Sequence, residues 1–532
     1  MVGVDRDYYR LRDDFLPLAQ IQKTLGALNE SDWVSHVNRA CYEGGWQVYP
    51  LRGLAKYSES SPILQSFALE ESQGEGDYVN YPAMKVFPEL EVFLSQLCCP
   101  LLSIRLMRLM PGAVIHPHRD RGLCFSNGQA RLHLSLTSEP DVEFIVNGES
   151  VHMAPGELWY LNADCEHAVY HRGEIPRVHL VIDCLANDWL RNALGLPEHR
   201  NLCDDTLAER QAWLSQLTKQ IVYCAPQARY TLRQPVRELV TSFANLVELD
   251  LNPTMFVDDH FTMTNHGKAV SMLVAAKCGE EFARTAAFLQ GIYQAIEERQ
   301  KEGRTVSVLY AGTGPFATLL LPLMSLYSAK QLQVTMLDIH STSLEKLGSL
   351  VSAFGLQDRV ENYVCSDATD WTSEQRFDLL VSETMKAALD TEPQVSVFSN
   401  LVLLLKEEGA LIPQTVEMHL NVVDQQGKRT PLDICSRLDK QATELFNQGD
   451  KTALDVIVQW PFETNHQAIE ICTEIQVYGE HWLRGYDCSL NLPFHLPFSS
   501  EQQAHLAKPD LCQWQLNYHV SQTPGYRLTA LR

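Results

Sequence analysis

Ile115-His116-Pro117-His118-Arg119-Asp120 sets two metal-ligand side chains two residues apart. On an extended chain such side chains share a face, so His118 and Asp120 converge on one point. A further imidazole, His167, follows 49 residues on, in Asp164-Cys165-Glu166-His167. Two histidines and one carboxylate on a β scaffold make the facial triad of non-haem Fe(II) oxygenases, with three coordination positions left open. Ten residues past His167, Arg177 begins the run Arg177-Val178-His179-Leu180-Val181-Ile182-Asp183. A guanidinium there can clamp a distal carboxylate with two parallel hydrogen bonds. His116 is a rival ligand, because H-x-H also puts two imidazoles on one face.

Around this stretch, residues 1–195 show short alternating runs broken by Gly and Pro: Leu101–Met110, Ala130–Thr137, Val142–Val146, Leu158–Tyr160 and Arg177–Val181. Strands at that spacing predict an antiparallel barrel or sandwich. Leu16–Leu25 and Pro88–Leu97 read as helices laid outside it.

Pro117-His118, Arg131-Leu132-His133-Leu134-Ser135-Leu136, Gly156-Glu157, Glu166-His167-Ala168-Val169 and the Arg177–Asp183 run together resemble the aspartyl/asparaginyl β-hydroxylase family, which includes bacterial cis-proline hydroxylases. The resemblance implies a double-stranded β-helix (jelly roll), with Fe(II) and 2-oxoglutarate as cofactors. It implies His118, Asp120 and His167 as iron ligands and Arg177 on the far carboxylate of 2-oxoglutarate. Arg131 and His133 match pocket residues. The animal aspartyl hydroxylase has Gly in place of the ligand carboxylate, so Asp120 aligns this chain with the proline-hydroxylase branch.

Beyond residue 195 the pattern changes. Thr206–Gln220 and Pro235–Val247 carry apolar residues at helical spacing, which predicts a helical connector over 196–265. Over 266–412, a helix at Arg284–Arg299 and apolar runs at Ser307–Tyr310, Val334–Leu337 and Leu379–Val381 predict a βαβ series on a parallel sheet. From 413 to 532 the pattern returns to β, at Thr415–Val423, Ala468–Gly479, Tyr486–Leu492 and Cys512–Val520.

Val306-Ser307-Val308-Leu309-Tyr310-Ala311-Gly312-Thr313-Gly314-Pro315 is an apolar strand entering a Gly-rich turn, where a ligand can approach the backbone. The next strand ends in Asp338, placed to accept ribose hydroxyls. Asp367, in Val364-Cys365-Ser366-Asp367-Ala368, stands where it can take an adenine amino group. Three such strand ends imply a nucleoside cofactor. NAD is the rival, although Ala317 holds the place of the last glycine in G-x-G-x-x-G.

Glu383 and Glu392 stand nine apart and bracket a loop. With Gly409-Ala410-Leu411-Ile412-Pro413 they resemble protein arginine methyltransferases. That implies a Rossmann-like domain binding S-adenosyl-L-methionine, a C-terminal β-barrel, and Glu383 and Glu392 as a catalytic pair that holds a nitrogen nucleophile. The family also dimerises, so a homodimer is an open expectation. The chain departs from that pattern in three places. Tyr310 replaces the usual acid before the glycines, Cys512-Gln513-Trp514 lacks the barrel histidine, and His260-Phe261 is a faint match to the N-terminal helix motif.

The 532 residues suffice for about three or four compact units. A net charge of −23 argues against a broad nucleic-acid footprint and against attachment to an anionic membrane. The start lacks a basic and then apolar leader, and the 14 cysteines form no C-x-x-C pair, which suggests reduced thiols in the cytoplasm. The expectation is a multidomain, bifunctional enzyme that hydroxylates an amino-acid-like small molecule or peptide and methylates it. The alternatives are modification of side chains on a partner protein, or an oxygenase joined to a degenerate AdoMet-binding scaffold.

Overall fold

The computed structural model describes residues 7–13, 17–36, 41–65, 78–120, 123–125, 128–196, 201–251, 260–301, 303–425, 428–459, 465–506 and 513–530. The chain divides into two compact units, the first within Met1–His199 and the second within Arg200–Asn252 and Phe256–Arg532. Among the described residues no helix is long and apolar enough to cross a membrane.

The first unit is built from two antiparallel sheets. The larger runs in the order Tyr8–Arg12, Leu158–Leu161, Gln129–Thr137, Arg177–Leu185, Leu101–Leu109, Trp46–Leu54 and Val34–Ser35, with Tyr78–Asn80 also paired to Trp46–Leu54. The smaller runs Glu149–Val151, Val142–Val146, His167–His171, Val114–His118 and Tyr42–Glu43. One apolar cluster draws on both sheets, including Val48, Met107 and Val181 from the larger and Ile115, Phe144 and Val169 from the smaller. The sheets therefore share a core, although among the described residues no strand pairing closes them into a barrel.

Side-chain alternation divides the residues of these strands between two surroundings. In a strand successive side chains point to opposite faces. Leu132, Leu134, Leu136, Leu180 and Ile182 pack in a second cluster with Leu90 and Leu190, from the helices Pro88–Leu94 and Asp188–Ala193. The intervening Arg131, His133, Arg177 and Asp183 are left to face the space between the sheets, where they line a cavity.

The second unit holds a parallel sheet in the order Val360–Cys365, Leu332–Asp338, Val306–Ala311, Phe377–Ser382, Leu405–Ile412. The apolar runs Ser307–Tyr310, Val334–Leu337 and Leu379–Val381 of the βαβ expectation lie on three of these five strands. The helices Leu207–Val222 and Arg233–Leu246, read from the sequence as a connector, pack into the same core as this sheet. Thr206 and Glu209 form a capping box at the start of the first helix. Thr218 Oγ1 donates to Pro322 O at 3.2 Å, and Lys346 Nζ donates to Val247 O at 2.6 Å.

The expected C-terminal barrel is instead two antiparallel sheets. A five-stranded one contains Arg429–Leu438, Thr415–Asp424, His466–Tyr478, His481–Leu483 and Phe494–Pro497. A three-stranded one contains Val456–Gln459, Gln513–His519 and Gly525–Ala530. Among the described residues no pairing joins the two. Tyr486–Leu492 alternates like a strand but forms a 3₁₀ turn at Ser489–Asn491. Side-chain hydrogen bonds hold that turn in place of a ladder: Asn491 Nδ2 donates to Thr473 O at 2.8 Å and to Leu483 O at 3.2 Å, and Ser489 N donates to Glu281 at 2.8 Å. Gln513 and Trp514 lie on the strand Gln513–His519, whereas Cys512 lies outside the described residues.

Candidate active sites

His118 ends the strand Val114–His118, and His167 begins the neighbouring strand His167–His171, directly opposite it in register. Asp120 sits just past the strand end, where its backbone N–H donates to Ala163 O at 2.8 Å. The ligand atoms of His118, Asp120 and His167 all lie within 4.8 Å of one another. His118 Nδ1 lies 2.8 Å from His116 O, and His167 Nδ1 lies 3.0 Å from Cys165 O. A carbonyl can only accept, so Nδ1 carries the proton in both rings and Nε2 keeps its lone pair for a metal. Burial holds the His167 pKa down to about 4, so its ring is neutral near pH 7. The rival His116 turns outward, with Nε2 at 3.4 Å from the exposed Glu43.

This cluster opens on a cavity of about 390 Å³ between the sheets, lined also by Arg131, His133, Arg177, Arg105, His36 and Asp183. Arg177 is 3% exposed and has no ion-pair partner among the described residues. Its Nη2 donates to His179 Nδ1 at 2.8 Å, its guanidinium carbon lies 5.5 Å from the Phe144 ring centre, and its Nε finds no partner among the described residues. Burial alone holds its pKa down to about 9. A desolvated cation with an orphaned N–H is a receptor for a carboxylate brought by a ligand. His133 Nδ1 lies 3.3 Å from His179 Nδ1, and burial keeps both imidazoles neutral by lowering their pKa values well below the ordinary histidine range.

Sequence motifs did not single out Asp183, Arg105 or His36. Asp183 accepts from Arg131 Nε at 2.7 Å and Nη2 at 3.1 Å, from Arg105 Nη1 at 3.0 Å and from Ser103 Oγ at 3.0 Å. Arg131 in turn donates to Asp120, so Asp183 holds the guanidinium that steadies one of the three clustered side chains. Burial alone would raise the Asp183 carboxyl, but Arg131 and Arg105 pull it far below the ordinary carboxylate range. The only signal in the sequence was a charged residue between apolar neighbours, as in Ile182-Asp183-Cys184 and Ile104-Arg105-Leu106. His36 stacks on Trp46, with ring centres 3.7 Å apart.

A pH dependence follows from the depressed Asp183 carboxyl. A group whose folded pKa is lowered contributes stability that is fully present above its unfolded value, about 3.9, and is lost as pH falls through the folded pKa. Urea stability of the first unit should therefore hold down to about pH 4 as far as this group is concerned. Below that it should fall more steeply than in Asp183→Asn, as followed by circular dichroism.

In the second unit, Gly312, Gly314, Asp338, Asp367, Glu383 and Glu392 all line one cavity of about 190 Å³. Gly312 has φ +76°, and a Cβ there would meet Thr384 Cγ2 at 2.5 Å, so only glycine fits this turn. Asp338 accepts from Gly314 N and from His340 N, each at 2.8 Å, and so ties the strand end to the glycine turn. Asp367 accepts from Thr369 N at 2.9 Å and Thr369 Oγ1 at 2.7 Å. Glu383 does not stand open for a guanidinium, because Arg284 from the helix Phe282–Gln300 is already paired with it. Its Oε1 and the Ser343 Oγ, both on the cavity, are buried without a partner among the described residues and offer polar contacts to a ligand.

The family model for aspartyl/asparaginyl beta-hydroxylase matches residues 6–187. Among curated proteins, the L-proline cis-4-hydroxylase of Rhizobium meliloti (strain 1021) is 26% identical over 193 residues. That match covers 35% of this chain and 65% of the relative's length. Among solved structures, a chain of the Trypanosoma brucei PRMT1 enzyme-prozyme heterotetrameric complex with AdoHcy is 11% identical, over 49% of this chain and 98% of that one. Its TM-score is 0.32, too low to bear on the fold. Over residues 6–187 the chain is thus similar to aspartyl/asparaginyl β-hydroxylases, and His118, Asp120, His167 and Arg177 all fall inside the matched span.

Proposed function

We propose that the first unit is an Fe(II)- and 2-oxoglutarate-dependent hydroxylase of an amino-acid-like substrate, free or peptidyl. The observation that carries the reading is the convergence of His118, Asp120 and His167 on a cavity shared with Arg177, whose Nε has no partner among the described residues. The matching family model and the curated relative are both hydroxylases by description. In this reading the two packed sheets are a double-stranded β-helix. His118 Nε2, His167 Nε2 and the Asp120 carboxylate hold the metal, and Arg177 takes the far carboxylate of 2-oxoglutarate. The iron and its co-substrate, when bound, supply the oxidising power for an unactivated C–H bond.

The chain's own residues orient and insulate that chemistry. The carbonyls of His116 and Cys165 fix the ring tautomers. Arg131, locked by Asp183, steadies the Asp120 carboxylate. Phe144, Val146 and Val169 wall the cavity with apolar surface, which limits water at the reacting centre.

For the second unit we propose an AdoMet-dependent methyltransferase fold, with Gly312, Gly314, Asp338 and Asp367 on the cofactor and Glu383 and Glu392 near the acceptor. Support comes from the single cavity that these residues line at the ends of parallel strands. The Arg284–Glu383 pair favours a narrower version, in which the unit binds AdoMet and the acceptor is not an arginine guanidinium. Tethering would let both units act on one substrate at high effective concentration.

The test is to incubate the full chain with 2-oxoglutarate, Fe(II) and AdoMet over a panel of amino acids and peptides. Mass spectrometry should find one product that gains both an oxygen atom and a methyl group. Gains on unrelated molecules would break the coupled reading. Asp338→Ala should weaken AdoMet binding on the order of tenfold or more, from loss of the strand-end carboxylate, while succinate formation continues at the unaltered rate. An unchanged AdoMet affinity would remove Asp338 from the cofactor site.

A further inference from the structure

We propose that Glu417, His419 and Cys435, joined by Cys472, form a zinc site on the outer face of the second unit's five-stranded sheet. The strand Thr415–Asp424 lies between Arg429–Leu438 and His466–Tyr478. In register, His419 stands opposite Cys435 on one side and opposite Cys472 on the other. Residues directly opposite in an antiparallel pair share a face, with Cβ atoms about 4.5–5.5 Å apart. The sheet therefore carries a row of thiol, imidazole and thiol across three strands. Glu417, two residues before His419, lies on the same face.

The ligand atoms of Glu417, His419 and Cys435 lie within 4.8 Å of one another. His419 Nε2 and Glu417 Oε2 face each other at 3.2 Å. Two ligands each bound about 2.0–2.2 Å from one tetrahedral zinc stand roughly 3.3 Å apart, so this spacing already matches one edge of the coordination sphere. The other Glu417 oxygen is held by Arg437 Nη2 at 2.8 Å, an outer contact that aims the carboxylate without blocking Oε2. Cys472 Sγ accepts from Asn421 Nδ2 at 3.3 Å and donates to Glu470 Oε1 at 3.6 Å, so joining the row requires it to leave these two contacts by turning about χ1.

Two thiolates, an imidazole and a carboxylate form a borderline-soft tetrahedral set that selects Zn²⁺ over Mg²⁺ or Ca²⁺. On binding, each thiol gives up its proton to solvent and the metal cross-links three strands. The site is separate from the His118, Asp120 and His167 cluster, which contains no sulfur.

That difference allows a clean test on the full chain. Titration with Co²⁺ should give a thiolate-to-cobalt charge-transfer band, which a sulfur-free site does not produce. The band should reach its limit within about two equivalents, because the sulfur-free cluster also takes one, lose about half or more of its intensity in Cys435→Ser and require on the order of tenfold more Co²⁺ in His419→Ala. On the unaltered chain, Zn²⁺ should slow alkylation of Cys435 by about tenfold or more. The exposed Cys98, Cys203 and Cys365 serve as internal controls and should react at their original rates. No charge-transfer band, or equal alkylation of Cys435 with and without Zn²⁺, would overturn the proposal.

Discussion

Arg177→Gln should raise the 2-oxoglutarate concentration needed for half-maximal succinate formation by roughly 30-fold to several thousand-fold. That range follows from a cost of about 2–5 kcal/mol for truncating one member of a buried charged pair. Arg177 is 3% exposed, its Nε has no partner, and its only polar contact among the described residues is a neutral imidazole. Everything about its setting disfavours the free cation and favours a bound carboxylate. Arg177→Lys should fall between the two, because an ammonium cannot reproduce the planar fork. Anaerobic Fe(II) affinity in the absence of 2-oxoglutarate should stay at the wild-type value in both variants. A half-saturating concentration that does not move in Arg177→Gln would place the co-substrate elsewhere.

Asp183→Asn should destabilise the first unit by about 3–5 kcal/mol, the cost of leaving a buried charge without its partner. Two guanidinium groups, Arg131 and Arg105, converge on this one carboxylate, and each side chain in the trio is 13–14% exposed. Removing the central charge sets two buried cations against each other. It also frees Arg131 from its hold, so the Asp120 carboxylate loses its support. Urea unfolding should show the first unit's transition at lower denaturant and the second unit's unchanged, since Asp183 belongs to the first. A shift below about 1 kcal/mol would mean that the pair is no more than a screened surface bridge.

How far the sequence alone reaches depends on what each residue's neighbours must be. The strands of the first unit were legible because their period of two is set by which face each side chain meets. Val142–Val146 begins and ends where the pattern places it. His118 and Asp120 stood out by their spacing of two and His167 by the family resemblance, while their meeting depends on the pairing of Val114–His118 with His167–His171. Arg105 and Asp183 were hidden, because a lone charge inside an apolar strand looks the same whether it faces water or a polar cavity.

The second unit shows the same limit. Helical periodicity revealed Leu207–Val222 but not its partner surface, since docking on Pro322 and Phe354 depends on contacts far along the chain. Tyr486–Leu492 alternates like a strand, but its backbone is captured by Glu281 and its Asn491 side chain by two carbonyls, which a local pattern cannot encode. Glu383 lines the cavity just past the end of the strand Phe377–Ser382, whereas the identity of its partner Arg284, 99 residues earlier, was out of reach of any motif.

The iron site is tested most directly by anaerobic titration of the full chain with Fe(II) and then 2-oxoglutarate, read by visible absorption. Chelation of 2-oxoglutarate to iron held by His118, Asp120 and His167 predicts a metal-to-ligand charge-transfer band that saturates near one equivalent and is absent in His118→Ala. A chain that develops no band, or one whose band survives His118→Ala at full strength, would contradict the assignment of these three side chains as the iron ligands.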